Sequence, residues 1–280
     1  MKILYGKPVA EKINQQNIEL SQKLYSKYEK RPCIAILGIA GDVASDIYLK
    51  KIRQRCEKFD IACIPLIAVN DIEFMRNFKK IRNDDRVTAI MFQQPLSKEL
   101  NMLINDIDSY KDVEGISSDN MGKLFLNYAD ALVPCTALAV SEILKYYKID
   151  VAGKKVAVIG RSNIVGKPVS MLLLNQNATV TTCHSKTINL FDETKTADIL
   201  IVAIGKANYI TKEAIKKDAI VIDVGINYYQ DKIVGDVDFE SVKDKASMIT
   251  PVPKGVGSVT NALIISNILK SFSLQIDSSK

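Results

Sequence analysis

Two glycines, a cation and a strand that ends without an acid give the first chemical signal in this chain of 280 residues. Residues 156–166 read VAVIGRSNIVG: an apolar run closing on Gly160, a loop that begins with Arg161, and Gly166 opening the next segment. Glycine lets the backbone approach an anion closely, and the free N–H groups of a helix start bind anionic oxygens. The spacing is not G-x-G-x-x-G, so the segment reads equally as a dinucleotide-binding turn or as an ordinary tight strand-to-helix turn. The next apolar run closes on Thr182-Cys183-His184-Ser185. In sheets that bind NAD, an Asp or Glu at that place holds the ribose 2′-OH. A cation with hydroxyls and no carboxylate suits a 2′-phosphate instead, and so NADP. His184 fits such a site or, equally, a satisfied core position. Asp223-Val224-Gly225-Ile226-Asn227 ends the last strand of this half. Ligands of parallel sheets lie beyond the carboxyl ends of the strands, which puts Gly225 and Ile226 beside the nicotinamide or its ribose.

These residues need a scaffold, and the hydrophobic pattern supplies one. Apolar residues at 9, 10, 13, 18 and 20 among polar ones predict a helix over 7–29. Cys33–Gly38 is a short apolar run ending in glycine, a buried strand, and Gly41-Asp42 leads into a helix over about 44–59. A strand at 61–67, a helix at 71–82 and a strand at 87–92 follow. The alternation resumes with a strand at 155–160, a helix at 167–176, strands at 178–182, 199–204 and 219–224, and a last helix at 258–272. Strands alternating with helices indicate an α/β fold with parallel sheets. A boundary falls near Pro134 and a return near Pro251–Pro253.

Bulk properties narrow the function classes. The chain is 47% hydrophobic and 25% charged, ordinary for a globular protein. Its net charge of +6 suits anionic small molecules, and the excess is spread along the chain rather than gathered in the stripe of a nucleic-acid binder. No signal peptide and no apolar run of membrane length are evident. Five cysteines without a CxxC pair indicate reduced thiols in the cytoplasm. A single histidine cannot support a His-rich metal site, so no metal is expected.

Taken together, the motifs resemble the FolD family, the bifunctional methylenetetrahydrofolate dehydrogenase/cyclohydrolases. The likeness runs nearly end to end. It begins with Tyr5-Gly6-Lys7 and Gly41-Asp42-Val43-Ala44-Ser45-Asp46-Ile47-Tyr48, and continues through Gln93-Gln94-Pro95-Leu96, Lys111-Asp112-Val113-Glu114-Gly115 and Pro134-Cys135-Thr136. Its most specific strings are Gly160 to Pro168, Ala178 to Ser185 and Val221 to Asn227, followed by Gly235-Asp236-Val237-Asp238-Phe239 and Thr250-Pro251-Val252-Pro253. The resemblance implies a two-domain α/β protein. Residues 1–133, completed by the C-terminal helix at 258–280, would form an α/β catalytic, folate-binding domain, and 134–257 a Rossmann-like NADP-binding domain, with folate and nicotinamide in the cleft between them. It also implies a cytoplasmic homodimer that oxidises 5,10-methylenetetrahydrofolate by hydride transfer to NADP and hydrolyses the methenyl product to 10-formyltetrahydrofolate, feeding purine, formyl-methionine and related one-carbon pathways. Tetrahydrofolate derivatives are then the substrates, with no nucleic-acid or membrane partner. By the same resemblance Tyr48, Gln93 and Glu114 are the catalytic-site residues. Gly160, Arg161, Ser162, Ile164, Gly166, His184, Ser185, Gly225 and Ile226 bind the cofactor.

The departures from the family pattern lie on the folate side. The family sequence Tyr-x-x-x-Lys sets two side chains one turn apart on a helix face, and the lysine handles the proton in cyclohydrolysis. Here the fourth residue after Tyr48 is Ile52, which can neither donate nor accept a proton. Lys51 lies about 100° round the helix, and a solvated basic face is the reading for Lys50, Lys51, Arg53 and Arg55. Glu114 replaces an aspartate, keeping the carboxylate on a longer side chain. Hydrolysis, in which water must be activated, loses more from a missing acid–base group than hydride transfer, which positioning and the cofactor carry. The resulting expectation is an NADP-dependent dehydrogenase with little cyclohydrolase. The competing readings are a fully bifunctional enzyme, a folate- and NADP-binding protein without useful catalysis, and a Rossmann dehydrogenase of the shikimate or amino-acid type.

Overall fold

The computed structural model describes residues 1–41 and 43–278, with the backbone alone for residues 43–45, 48 and 278. The chain divides into two compact units, 13–133 with 264–280, and 1–12 with 134–263.

In chain order the first elements are β1 (Lys2–Ile3), α1 (Gly6–Tyr28), β2 (Cys33–Ile39), α2 (Val43–Lys58), β3 (Ala62–Ala68), α3 (Asp71–Ile81), β4 (Ala89–Phe92), α4 (Lys98–Met102) and α5 (Ser118–Phe125). In the first unit β2 is the middle of a parallel three-stranded sheet, order β3-β2-β4. That is why β2 reads as an unbroken apolar run: a central parallel strand is covered on both faces. Helix α3 starts at Asn70, whose side chain accepts from the Glu73 amide at 3.0 Å. Its buried face, Phe74, Phe78 and Ile81, packs on the sheet. Phe74 and Phe78 meet the Phe92 ring edge-on at 5.5 and 5.9 Å between centroids.

The remaining elements are α6 (Cys135–Tyr146), β5 (Lys155–Ile159), α7 (Gly166–Asn175), β6 (Thr179–Cys183), α8 (Leu190–Thr194), β7 (Ile199–Val202), β8 (Ile220–Asp223), β9 (Asn227–Tyr229), β10 (Lys232–Val234), α9 (Phe239–Val242), β11 (Met248–Ile249) and α10 (Val256–Ser278). The second unit is a six-stranded sheet, order β1-β11-β8-β7-β5-β6, in which every neighbouring pair is parallel. Its core joins Ile159, Leu200, Val202, Val221 and Ile249.

The later part of α10 completes the first unit through polar groups as well as apolar ones. The Asn267 amide donates to the carbonyls of Val113 and Val133 at 2.8 and 2.9 Å, and Lys270 Nζ to those of Ala129 and Ala131 at 2.8 Å each. The division differs from 1–133 and 258–280 at two places. Residues 1–12 lie with the second unit because Lys2 and Ile3 pair with Met248 and Ile249, and α10 enters the first unit at Ile264. Among the described residues no helix is long and apolar enough to cross a membrane.

Candidate active site

In the second unit, β5 ends at Ile159 and the chain turns through Gly160 at φ +129°, a value that side chains rarely permit. A Cβ on Gly160 would collide with the carbonyl of Ala203, and one on Gly166 with the carbonyl of Gly160. Both glycines are therefore required by the turn itself, and the same turn brings backbone close to whatever lies beyond β5. Ser162 Oγ accepts from the Val165 and Gly166 amides at 3.2 and 3.4 Å, bracing the loop that leads into α7. Arg161 and Ile164 are exposed on that loop.

The end of β6 lies next to this turn, because β5 pairs with β6 up to Ile159 and Cys183. A cavity of about 250 Å³ opens there, lined by Gly160, Arg161, His184 and Ser185 together with Leu190, Ile204, Lys206 and Tyr209. It holds cations, hydroxyls and apolar walls, and no carboxylate among its lining residues. His184 Nδ1 accepts from the Lys186 amide at 3.1 Å. With Nδ1 accepting, the ring proton sits on Nε2 as a donor. This donor set fits a phosphate-bearing ribose better than a bare diol, which wants an acceptor.

Two buried carboxylates fix the neighbouring strand ends. Asp223, the last residue of β8, accepts from the amides of Gly225, Asp236 and Val237 at 2.9, 3.1 and 2.9 Å. Burial pushes its pKa up to about 7, against the pull of those amides and with the Asp236 charge adding to the rise. Asp236, fully buried, accepts from three successive amides, Ile204, Gly205 and Lys206, at 2.7, 3.0 and 2.8 Å, and from the Asn227 side chain at 2.9 Å. Gly225 and Ile226 thus stand on a segment held at its root. They do not line the cavity; Ile226 is exposed, and a Cβ on Gly257 would touch its side chain at 3.5 Å.

In the first unit the second cluster forms at the carboxyl end of β4. Segment 111–114 runs beside that strand, with the Ile90 amide donating to the Lys111 carbonyl at 2.7 Å. This brings Glu114 to the strand end, where its Oε2 accepts from the Phe92 amide at 3.2 Å. Burial raises the Glu114 pKa to about 7, with the Phe92 amide opposing and the Asp112 charge reinforcing the rise. Gln93 is the next residue. Its backbone amide donates to the Leu37 carbonyl at 2.7 Å, and its side chain faces Gly38, where a Cβ would lie 3.1 Å from Oε1. Oε1 is buried without a hydrogen-bond partner. A buried amide oxygen left so costs about 1–3 kcal/mol, the kind of deficit that a polar ligand removes. Asp112 is tied into the fold instead, accepting from Gly115, Ser117 and Asn120 at 3.0, 2.8 and 3.1 Å.

Ile52 is buried, 2% exposed, on α2, in line with the fully buried Cys56 one turn on. Lys50 and Lys51 are exposed. The Tyr48 side chain and Asp42 lie outside the described residues.

Comparison with known proteins fixes the lineage. Residues 4–114 match the catalytic domain of tetrahydrofolate dehydrogenase/cyclohydrolase, and residues 134–276 match its NAD(P)-binding domain. This chain belongs to the tetrahydrofolate dehydrogenase/cyclohydrolase family. The bifunctional protein FolD of Sulfurihydrogenibium sp. is 42% identical over 278 residues, covering 97% of this chain and 98% of the relative. The crystal structure of the Campylobacter jejuni bifunctional enzyme superimposes with a TM-score of 0.93 at 39% identity, over 98% of this chain and 99% of that one. The Trypanosoma brucei dehydrogenase-cyclohydrolase, complexed with NADP cofactor and inhibitor, gives 0.90 at 30% identity over 98% of both chains.

Within this family frame, four of the predicted cofactor residues, Gly160, Arg161, His184 and Ser185, share one cavity. Ser162, Ile164 and Gly166 form the adjoining loop and helix start, and Glu114 accepts from the amide of Phe92, the residue before Gln93, at the end of β4. Sequence reading missed Lys206, Tyr209 and the carboxylates Asp223 and Asp236. Asp223 and Asp236 stand in strings quoted for the resemblance, Val221 to Asn227 and Gly235 to Phe239. Their role in holding amides depends on a sheet order that no local pattern reveals.

Proposed function

We propose that this chain oxidises 5,10-methylenetetrahydrofolate to the methenyl compound with NADP and performs little of the second, cyclohydrolase, reaction. The observation that carries the second half is Ile52: a buried aliphatic side chain stands where the family motif sets a proton-handling lysine. The choice of NADP rests on the carboxylate-free cavity with Arg161, His184 and Ser185, supported by the NADP named for the T. brucei relative.

The cofactor, when bound, accepts the hydride. The protein's part is to bind, orient and exclude water. Gln93 presents a buried amide oxygen to a polar hydrogen of the folate, and Glu114 presents a carboxylate to the pterin nitrogens. Tyr48 corresponds, by its motif position, to the family tyrosine of the folate site. None of this demands an acid–base group at position 52. Hydrolysis does, and general acid–base help is typically about 10²–10⁴-fold. A cytoplasmic homodimer acting on tetrahydrofolate derivatives, with no nucleic-acid or membrane partner, completes the proposal.

The test is a coupled assay on purified chain. Methylenetetrahydrofolate is supplied with NADP or NAD, and both reduced cofactor and methenyl decay are followed against an enzyme-free control. NADP reduction with methenyl decay at the control rate supports the proposal, and Ile52→Lys should then accelerate that decay. Decay accelerated by the unmodified chain would sink the second half; absence of cofactor reduction would sink the first.

A further inference from the structure

We infer that Lys206 is a second cation for the ribose phosphate of the dinucleotide and sets the preference for the phosphorylated cofactor, an inference that rests on the NADP reading above. Lys206 lines the same cavity as Arg161, His184 and Ser185. Among the described residues neither Lys206 nor Arg161 takes part in an ion pair, so both charges are free to face a ligand. A ribose phosphate carries about −1.5 to −2 charges at neutral pH, and one guanidinium leaves it under-compensated. A second cation brings the local balance near zero.

The position is built, not incidental. An exposed lysine on a free loop gives up side-chain entropy when it holds an anion. Here the loop is already fixed: the buried Asp236 carboxylate takes the amides of residues 204, 205 and 206 in succession. The side chain is steadied as well, with Nζ 5.1 Å from the centre of the Tyr209 ring. The ring holds the charge by its π face without neutralising it. Asp236 thereby acts as a positioning residue, and Lys206 as the group that meets the phosphate.

The test is calorimetric titration of the full chain with NADP and with NAD, for the unmodified protein, Lys206→Gln and Lys206→Arg. A charge-assisted hydrogen bond of ordinary strength predicts about a tenfold loss of NADP affinity in Lys206→Gln, with NAD affinity changed less than about twofold. Lys206→Arg, which keeps the charge, should restore most of the NADP affinity. Raising salt should weaken NADP binding more steeply in the unmodified chain than in Lys206→Gln. An equal loss for both dinucleotides would overturn the inference, because Lys206 would then serve a part of the cofactor common to the two. No loss for NADP would overturn it also. An unmodified chain that prefers NAD would fail the cofactor reading itself and the inference with it.

Discussion

The two clusters are built from different materials. In the second unit the frame of the site is backbone, with a glycine turn at 160, a helix start at 166 and amides drawn onto Asp223 and Asp236, and the side chains of Arg161, His184 and Lys206 stand on that frame. In the first unit it is side chain: the Gln93 oxygen without a partner, Glu114 held by one amide, and Ile52 buried on α2. A backbone frame depends on fold and fails only when the fold is disturbed, while a charge mounted on it, such as Lys206, tunes affinity. A side-chain site can lose one reaction through a single replacement while its surroundings stay folded. That contrast accounts for a chain in which the nucleotide motifs are nearly intact and the departures gather on the folate side.

The largest effect is expected at Gly160. Gly160→Ala adds a methyl against the Ala203 carbonyl at φ +129°. Strain and overpacking together should cost about 3 kcal/mol of unfolding free energy and remove NADP binding, measured by urea unfolding and titration. A stable variant that still binds NADP would show that the turn tolerates a side chain at Gly160.

On the first unit, Glu114 should give the next largest effect. Its pKa near 7 lies above the ordinary glutamate value of 4.5, so the folded chain holds a proton that the unfolded chain has lost in between. The stability contribution is full below about 4.5 and is lost as pH rises through about 7. Glu114→Gln should flatten unfolding free energy against pH over that window. In the proposed role, in which the ionised carboxylate holds the pterin, it should also remove the acidic limb of kcat/KM for the folate substrate, because the amide does not titrate. Profiles unchanged by the substitution would remove Glu114 from the site.

The smallest effect should come from Lys51, exposed on α2. Lys51→Ala should leave stability within about 0.5 kcal/mol and methenyl decay at the control rate. A measurable fall in enzyme-driven hydrolysis would mean that Lys51 does the missing lysine's work.

The departures between reading and structure have physical reasons. The hairpin of β9 and β10 turns through Gln230 and Asp231, both at positive φ, 48° and 58°. The favoured pairs for such a turn are Asn-Gly or Asp-Gly, so the sequence carries no signal for it. Strands β1 and β11 are two residues each and pair only because distant segments meet. The helix expected at 258–272 runs over Val256–Ser278, and beyond 272 its polar residues find partners in the first unit: the Gln275 amide donates to the Thr88 carbonyl at 2.6 Å and Asp277 accepts from the Tyr28 hydroxyl at 2.8 Å.

The alternation of strands and helices, the glycine turn at 160–166, the missing acid after β6 and the isoleucine at 52 are legible along the chain, because each is a matter of residue type at a local spacing. The folded chain alone shows that Arg161, His184, Ser185 and Lys206 share one cavity, that Asp236 holds the loop beneath Lys206, and that Glu114 lies against Phe92, next to Gln93 in the chain. Strand order and register, which bring together residues tens of positions apart, are set by the packing of the whole sheet and leave no mark on any one segment.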